Sequence, residues 1–372
     1  MNNNLMKAYE TDASRFKGKA LDVVLPTTIS EVMRVVTSNN RIVPRGAGTG
    51  LAGGVVPQNG LDVVLDLSKL IGIRNFDKDR MTVEVEAGVI LDDLQSFVGK
   101  NGLEFPVNPM SHSVATIGGM VATDALDGRV AKYGKTSHWV KWIEIIDCNG
   151  ILHRKGATEL SDYAGMEGTT GVIVKVCLKL LPKKRRTASL VKADSIEKIV
   201  SVVRNLKRDV GVSMIDFLDR RISEGLGLEP VYHLIVEYED DCGLIKGEDY
   251  EKLLELKDKI YSFVVGEGYI RIEDFKVLID RFDKLMVWFE KNSIPIFGHL
   301  SVGILHPCFN HDQESLIPEM MKLVKRLGGR INGEYGIGIL KRGFVEINDQ
   351  KILRNVKKRC DPLNKFNVGK VI

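Results

Sequence analysis

Apolar residues at Ile29, Val32, Val35 and Val36 fall on one face of a helix spanning residues 28–40. Short apolar runs flank it, at 22–25 ending on Pro26 and at 41–44. The pattern predicts strand, helix, strand, a βαβ unit, with Thr28 or Ser30 as the helix cap. A further strand is predicted over 61–67. Residues 81–87 alternate strictly, with Thr82, Glu84 and Glu86 on the polar side, and Gly88 closes that strand. An amphipathic helix follows over 91–100, capped by Asp92 or its neighbour and stopped at Asn101-Gly102. The run 141–150 predicts a strand entering an Asn-Gly turn, with 151–154 as its hairpin partner. A glycine turn at 167–171 feeds a long strand that ends at Pro182.

Beyond Pro182 the texture changes to longer helices and fewer glycines. Helices are predicted over 195–207, 249–265, 282–291, 314–327 and 350–360. Strands are predicted at 213–217 and 231–238, and residues 295–307 read as strand, glycine break, strand. This mixture predicts an α+β fold with an antiparallel sheet in the second half. The run Lys183-Lys-Arg-Arg186 marks the boundary and reads as a solvated linker, with contact to an acidic partner or to membrane headgroups as the alternative. The tail 361–372 has no strong pattern.

The chain has 372 residues, enough for two domains, with 44% hydrophobic and 27% charged residues. A net charge of +4 is small for this length and gives no case for a nucleic-acid partner. No apolar run approaches the roughly 18 residues of a membrane span. The first residues, M-N-N-N-L-M-K, lack the apolar core of a secretory signal. Five scattered cysteines fit a reducing cytoplasm better than a disulfide framework.

The chemistry starts at residues 44–54, P-R-G-A-G-T-G-L-A-G-G. Consecutive glycines expose backbone N–H groups that converge on an anion, so the loop predicts a phosphate cradle and a nucleotide-type cofactor. Gly48 to Gly53 also match G-x-G-x-x-G. That fingerprint must open a helix, and Pro57 and Gly60 forbid one here. A nicotinamide site of the Rossmann type is therefore rejected. A second small-residue stretch runs from Pro106 through Pro109, Ser111, Thr116, Gly118, Gly119 and Thr123.

His299 and His306 stand seven residues apart. On one straight strand an odd spacing points side chains to opposite faces. Gly303 between them supplies a bulge or bend that brings both to one place. Glu334 can join them, giving two imidazoles and a carboxylate, a set suited to a divalent cation with open positions.

These motifs stand in a familiar order. The chain resembles the FAD-linked oxidase superfamily, the vanillyl-alcohol-oxidase or PCMH type. Within it the chain is most similar to the group of glycolate oxidase large subunit, D-lactate dehydrogenase and D-2-hydroxyglutarate dehydrogenase. The resemblance rests on residues 44–54, on T-I-G-G-M-V-A-T at 116–123 with R-V-A-K-Y-G at 129–134, on E-G-T-T-G-V at 167–172, and on Asp361-Pro with Asn367, Gly369 and Lys370. It implies a two-subdomain FAD-binding domain over 1–183, a shortened α+β cap over 187–320, and a return to the flavin domain over 321–372. It further implies that Arg45, Gly46, Ala47, Gly48, Thr49 and Gly50 line the pyrophosphate through backbone N–H groups, approached also by Thr116, Gly118 and Gly119, with Pro44 and Thr123 as further cofactor-binding residues. Pro109, Ser111, Glu167, Gly168 and Gly171 would flank the flavin ring or the adenine side, with Val172 also at the cofactor. The glycine loop has no histidine, so FAD should be non-covalent.

In metal-dependent members His299, His306 and Glu334 correspond to ligands of zinc or a similar divalent cation. The implied activity is oxidation of a D-2-hydroxy acid of the lactate or glycolate type to the 2-oxo acid. Electrons would leave through a quinone, a cytochrome, or an iron-sulfur or flavoprotein subunit, in a homo- or hetero-oligomer. The expected location is the cytoplasm, including the inner face of the membrane. Several positions depart from the family pattern. Ser301-Val-Gly-Ile304 replaces G-D-G-N, and Tyr335 stands where the family has a histidine base. Asp124 and Asp127 replace an asparagine and a glycine. An L-W-x-x-R segment that clamps the substrate carboxylate is missing, with Arg271 and Arg281 as the nearest substitutes. Those departures support a second expectation, an accessory FAD-binding subunit without turnover.

Overall fold

Thr28 ends one extended segment and starts a helix. Its Oγ1 accepts the Glu31 N–H at 3.2 Å, and the Glu31 carboxylate accepts the Thr27 N–H at 2.7 Å. The helix Ile29–Ser38 buries Val32 and Val36. In the computed structural model, which describes residues 3–372, this helix connects strands Ala20–Val24 and Ile42–Arg45. Those two strands do not pair with each other. Strand Asp62–Asp66, supplied after the glycine loop, lies between them and parallel to both. All five of its residues are buried, as expected of a parallel strand covered on both faces.

A second sheet is antiparallel, in the order Ile73–Asp77, Thr82–Glu86, Val172–Lys179, Val140–Ile146, Leu152–Gly156. Val83 and Val85 face its core while Thr82, Glu84 and Glu86 stay half-buried. Helices Leu91–Gly99 and Ile117–Thr123 contribute Leu94, Val98, Ile117 and Val121 to that core. Asp92 is not the cap of the first helix. Ile90 holds that position, and Asp92 sits in the first turn, paired with His112 at 2.6 Å. The second helix escapes the apolar pattern because it begins Ile-Gly-Gly. Thr116 caps it through Gly119 N–H at 3.3 Å, and Gly118 lets it approach Ala87 closely.

The chain divides into two compact units. The first takes the residues up to Ala125, Lys135–Lys183 and Tyr335–Ile372. Its tail is ordered by Phe366, fully buried in the core of helix Ile29–Ser38. The tail also exchanges backbone bonds with Ile42 at 2.8 Å on both sides. The second unit takes Leu126–Gly134 and Lys184–Glu334. The chain thus leaves it at 334, later than the expected return at 321. Arg330 bonds Lys276 through the backbone in both directions, and Asp274 accepts the N–H groups of Gly333 and Glu334. Those bonds hold 330–334 to the second unit. Among the described residues no helix is long and apolar enough to cross a membrane.

The second unit is built on an antiparallel sheet in the order Thr187–Ala193, Tyr232–Tyr238, Val212–Leu218, Ile296–His299, Ile304–Phe309, with Arg271–Ile272 and Phe275–Lys276 both on the last. Thr187–Ala193, in which only Lys192 is exposed, has Leu190 and Val191 as its only large apolar residues, too little apolar pattern to be read in advance. Arg186 corrects the reading of the basic run as a solvated linker. Lys183, Lys184 and Arg185 are exposed, but the Arg186 side chain is buried beside Glu237 and Glu239.

Glu237 sits at the centre of a buried network. Arg129 donates to both its oxygens at 2.8 Å, Tyr250 Oη donates at 2.7 Å and Ser213 Oγ at 2.5 Å. Burial alone would raise its pKa, but the Arg129 guanidinium outweighs burial and holds it at about 2 against an ordinary 4.5. A depressed carboxylate stabilises the fold above the unfolded value, and that stability is lost as pH falls through the folded value. The shift corresponds to about 3 kcal/mol at most. Acid-unfolding curves of wild type and Glu237→Gln should therefore converge as pH falls from about 4.5 to about 2. A constant gap across that window would contradict this account.

Candidate active site

The glycine loop leaves strand Ile42–Arg45 and runs without regular structure. Among the described residues, no backbone N–H from Gly46 to Gly50 donates to a protein acceptor. Gly48 has φ +73°, and a Cβ on Gly50 would point into open space. At Gly46 a Cβ would come within 2.2 Å of Thr116 Oγ1, so the loop presses directly on the cap of helix Ile117–Thr123. These free donors and missing side chains fit the diphosphate of FAD. The Arg45 side chain does something else. It is buried, lies 5.4 Å from the Tyr9 ring centre and donates to Thr11 O at 2.8 Å. It fastens the N-terminal segment to the loop.

Gly46→Ala is expected to dislodge Thr116 and lower the FAD content of the purified protein. Loss of the cap alone is worth about 1 kcal/mol. The flavin-to-protein absorbance ratio reads this, and an unchanged ratio would show that the close approach is not needed.

Several expected cofactor residues are engaged within the protein. Thr123 Oγ1 donates to Gly119 O at 3.0 Å. Pro109 and Ser111 shape the turn before the helix, their carbonyls accepting from His112, Val114 and Ala115. Gly168 has φ +68° and packs against Pro44, whereas Gly171 packs on Ile146 and Tyr163, and Val172 is buried as the strand begins. The buried Glu167 carboxylate accepts Ile337 N–H at 2.6 Å and Gly338 N–H at 2.9 Å. Its carbonyl accepts from Asn367 Nδ2 at 2.6 Å, and Lys370 Nζ donates to Asn367 Oδ1 at 2.9 Å. Burial pushes the Lys370 ammonium down to about 7. Glu167 therefore joins the 167–172 turn, the 336–338 turn and the tail.

The two histidines meet through a hairpin. Residues 300–303 form a reverse turn rather than a bulge, closed by Gly303 N–H to His299 O at 2.9 Å. Gly303 has φ +76°, and a Cβ there would lie 1.9 Å from Val277 O, so no other residue fits unstrained. In the hairpin His299 pairs with Ile304 and Phe297 with His306. The histidines are diagonal neighbours on one face, ring centres 5.5 Å apart. Glu334 Oε2 lies 3.3 Å from His306 Nε2 and 3.6 Å from His299 Nε2. One ligand atom from each of the three lies within 4.8 Å of the others, close enough for a common cation.

A layer behind these groups orients them. Asp216 accepts His299 Nδ1–H at 2.6 Å, and Lys257 Nζ lies 3.4 Å from its other oxygen. Asp274 holds the backbone of Glu334. Asp219 accepts Ile296 N–H at 2.8 Å and caps helix Arg220–Gly225, steadying the strand that carries His299. Burial favours neutral His299, but Asp216 outweighs it and, with Glu334, raises the imidazole to about 10. Burial would raise Glu334 too, yet the two histidines hold it at about 2. His306 is pushed down, chiefly by burial. Two carboxylates thus converge on one imidazole: Asp216, itself paired with the Lys257 ammonium, on Nδ1, and Glu334 on Nε2.

Asp216 was not read from the sequence, although its signal was there: a single carboxylate inside the buried run 212–218. Asp274 and Lys257 gave no comparable signal. Of the departures, Ser301 donates to Gly128 O at 3.3 Å and Ile304 is buried. Tyr335 follows Glu334 directly, and the Lys341 ammonium lies 5.9 Å from its ring centre. Arg271 is engaged by Glu273 at 2.6 Å, and Arg281 is exposed.

A glycine loop with unpaired donors, in a unit that joins a parallel and an antiparallel sheet, defines a flavin-type nucleotide binder. Comparison with known proteins makes this specific. The family described as FAD binding domain matches residues 20–156, and the family described as FAD linked oxidases, C-terminal domain, matches residues 268–371. The chain belongs to the FAD-linked oxidases and is an FAD-linked oxidoreductase. It is 26% identical to glycolate oxidase subunit GlcD of Bacillus subtilis, over 98% of this chain and 91% of that protein. It is 28% identical to a D-lactate dehydrogenase of Archaeoglobus fulgidus, over 94% and 91%. A D-2-hydroxyglutarate dehydrogenase of Xanthomonas citri pv. viticola is 24% identical over 96% and 90%. The alignment with the Bacillus protein spans 431 positions, so that relative carries stretches with no counterpart in these 372 residues. The structure of an alkyldihydroxyacetonephosphate synthase superposes with a TM-score of 0.72 over 99% of this chain and 81% of that one, at 16% identity, a likeness of fold alone.

Proposed function

We propose that the protein is an FAD-dependent dehydrogenase that oxidises a D-2-hydroxy acid to the 2-oxo acid. The observation that carries this is the His299, His306 and Glu334 cluster, with its orienting layer, in a chain of the FAD-linked oxidase family. The names of the three relatives share one chemistry, a hydroxyl on the carbon beside a carboxylate. When bound, FAD supplies the two-electron acceptor and a divalent cation the Lewis acid that polarises the hydroxyl. Residues 46–50 would hold the FAD diphosphate through their backbone. His299 and His306 would offer nitrogens, and Glu334 an oxygen, to zinc or a similar ion. Tyr335 would hydrogen-bond the substrate hydroxyl, whose proton would pass to solvent water. A tyrosine near pKa 10 is a weak base at neutral pH, so the burden falls on polarisation at the three ligands. The flavin would be reoxidised by a quinone, a cytochrome or a partner redox subunit.

Anaerobic addition of D-lactate, glycolate, D-2-hydroxyglutarate or their L-enantiomers, with zinc or manganese present, is expected to bleach the flavin band near about 450 nm for at least one D-acid or glycolate. If none bleaches it, the dehydrogenase reading fails. The second reading, an accessory FAD-binding subunit, then stands; it is favoured by Tyr335 and by Ser301-Val-Gly-Ile304.

A further inference from the structure

We propose that Asp216, braced by Lys257 and Gly128, is the positioning residue that makes His299 a metal ligand. The proposal rests on reading His299, His306 and Glu334 as a cation site. In the sheet, Asp216 pairs directly opposite His299. Both residues are 4% exposed, and Asp216 Oδ1 lies 2.6 Å from His299 Nδ1. Once Nε2 holds a cation, the one remaining ring proton sits on Nδ1, where a carboxylate accepts it. Such a partner fixes both the tautomer and the direction of the Nε2 lone pair. Here that lone pair is aimed at the group formed with His306 and Glu334.

Asp216 is itself held from two further sides. Lys257, from helix Glu248–Gly266, lies 3.4 Å from Oδ2 and 3.5 Å from Met214 Sδ. The ammonium and the carboxylate compensate each other, so the pair orients His299 without adding net charge to the three ligands. On the remaining side stands Gly128. A Cβ there would reach within 2.5 Å of Asp216 Oδ1 and 2.6 Å of Met214 Cγ. The absence of a side chain at residue 128 is what lets Asp216 reach His299. Asp216 does not act as a ligand, because its oxygens are committed to His299 and Lys257.

The test is equilibrium dialysis of the full-length, FAD-loaded protein against Zn²⁺, with wild type, Asp216→Ala, Asp216→Asn, Gly128→Ala and His306→Ala. Wild type should bind one ion per chain and His306→Ala should lose it. Asp216→Ala should bind about 10- to 100-fold more weakly. Asp216→Asn, whose amide oxygen still accepts from Nδ1 but whose loss of charge leaves the Lys257 ammonium unbalanced, should recover part of that loss. Gly128→Ala should weaken binding without altering any polar group. Flavin content and thermal melting establish that each variant is folded. Wild-type Zn²⁺ affinity in folded Asp216→Ala overturns the positioning role and leaves the cation site standing. Should Asp216→Ala fail to fold, wild-type affinity in Gly128→Ala, or an Asp216→Asn as weak as His306→Ala, overturns it. No Zn²⁺ bound by wild type, or full binding by His306→Ala, overturns the cation site and this inference with it.

Discussion

Glu334→Gln is expected to slow flavin reduction by the hydroxy acid about 10³-fold while FAD stays bound. The change is nearly isosteric. Asp274 holds the residue through its backbone, which the substitution leaves alone. What disappears is the only charged ligand of the proposed cation site. Lewis-acid polarisation of a hydroxyl is worth several kcal/mol, and about 4 kcal/mol in a barrier is roughly 10³ in rate. Anaerobic stopped-flow at the flavin band measures the rate, and the unreduced spectrum reports bound cofactor. A variant as fast as wild type would remove the cluster from the chemistry.

Glu167→Ala is expected to be the most damaging single change to the flavin-binding unit. The carboxylate satisfies the N–H groups of Ile337 and Gly338. Alanine would leave two buried donors unpaired, at about 1–3 kcal/mol each. It would also leave a cavity against Gly54 and Gly336, both of which pack on this side chain. The two unpaired donors alone amount to about 2–6 kcal/mol. Thermal melting of the FAD-free and FAD-loaded protein should show a clear drop in both forms. Glu167→Gln, which keeps one carbonyl acceptor, should lose less. Equal melting of wild type and Glu167→Ala would show that the 336–338 turn is held by other contacts.

Much of the fold was legible because its periodicities are local. The caps Thr28 and Ser195 and the alternation over 82–86 follow from neighbouring residues. The missed elements have weak local signals for identifiable reasons. Helix Ile117–Thr123 carries two glycines in its first turn, and strand Thr187–Ala193 has only two large apolar residues, Leu190 and Val191. Arg186 looked like part of a solvated run because its partner Glu237 is 51 residues away.

For the candidate site, the sequence by itself determined the donors. Proline and glycine after residue 54 exclude a Rossmann helix, and Gly303 between the two histidines permits a bulge or bend. These are consequences of backbone sterics, which any reader of the chain can apply. Tertiary structure decided how those donors are aimed. It placed strand Asp62–Asp66 between the first two strands and set Asp216 opposite His299 by sheet register. It also made Glu167 the acceptor for two distant N–H groups. Each of those outcomes depends on partners 80 or more residues apart or on strand order. Neither leaves a trace in local spacing, because a hydrogen bond across a sheet is set by register and not by sequence separation.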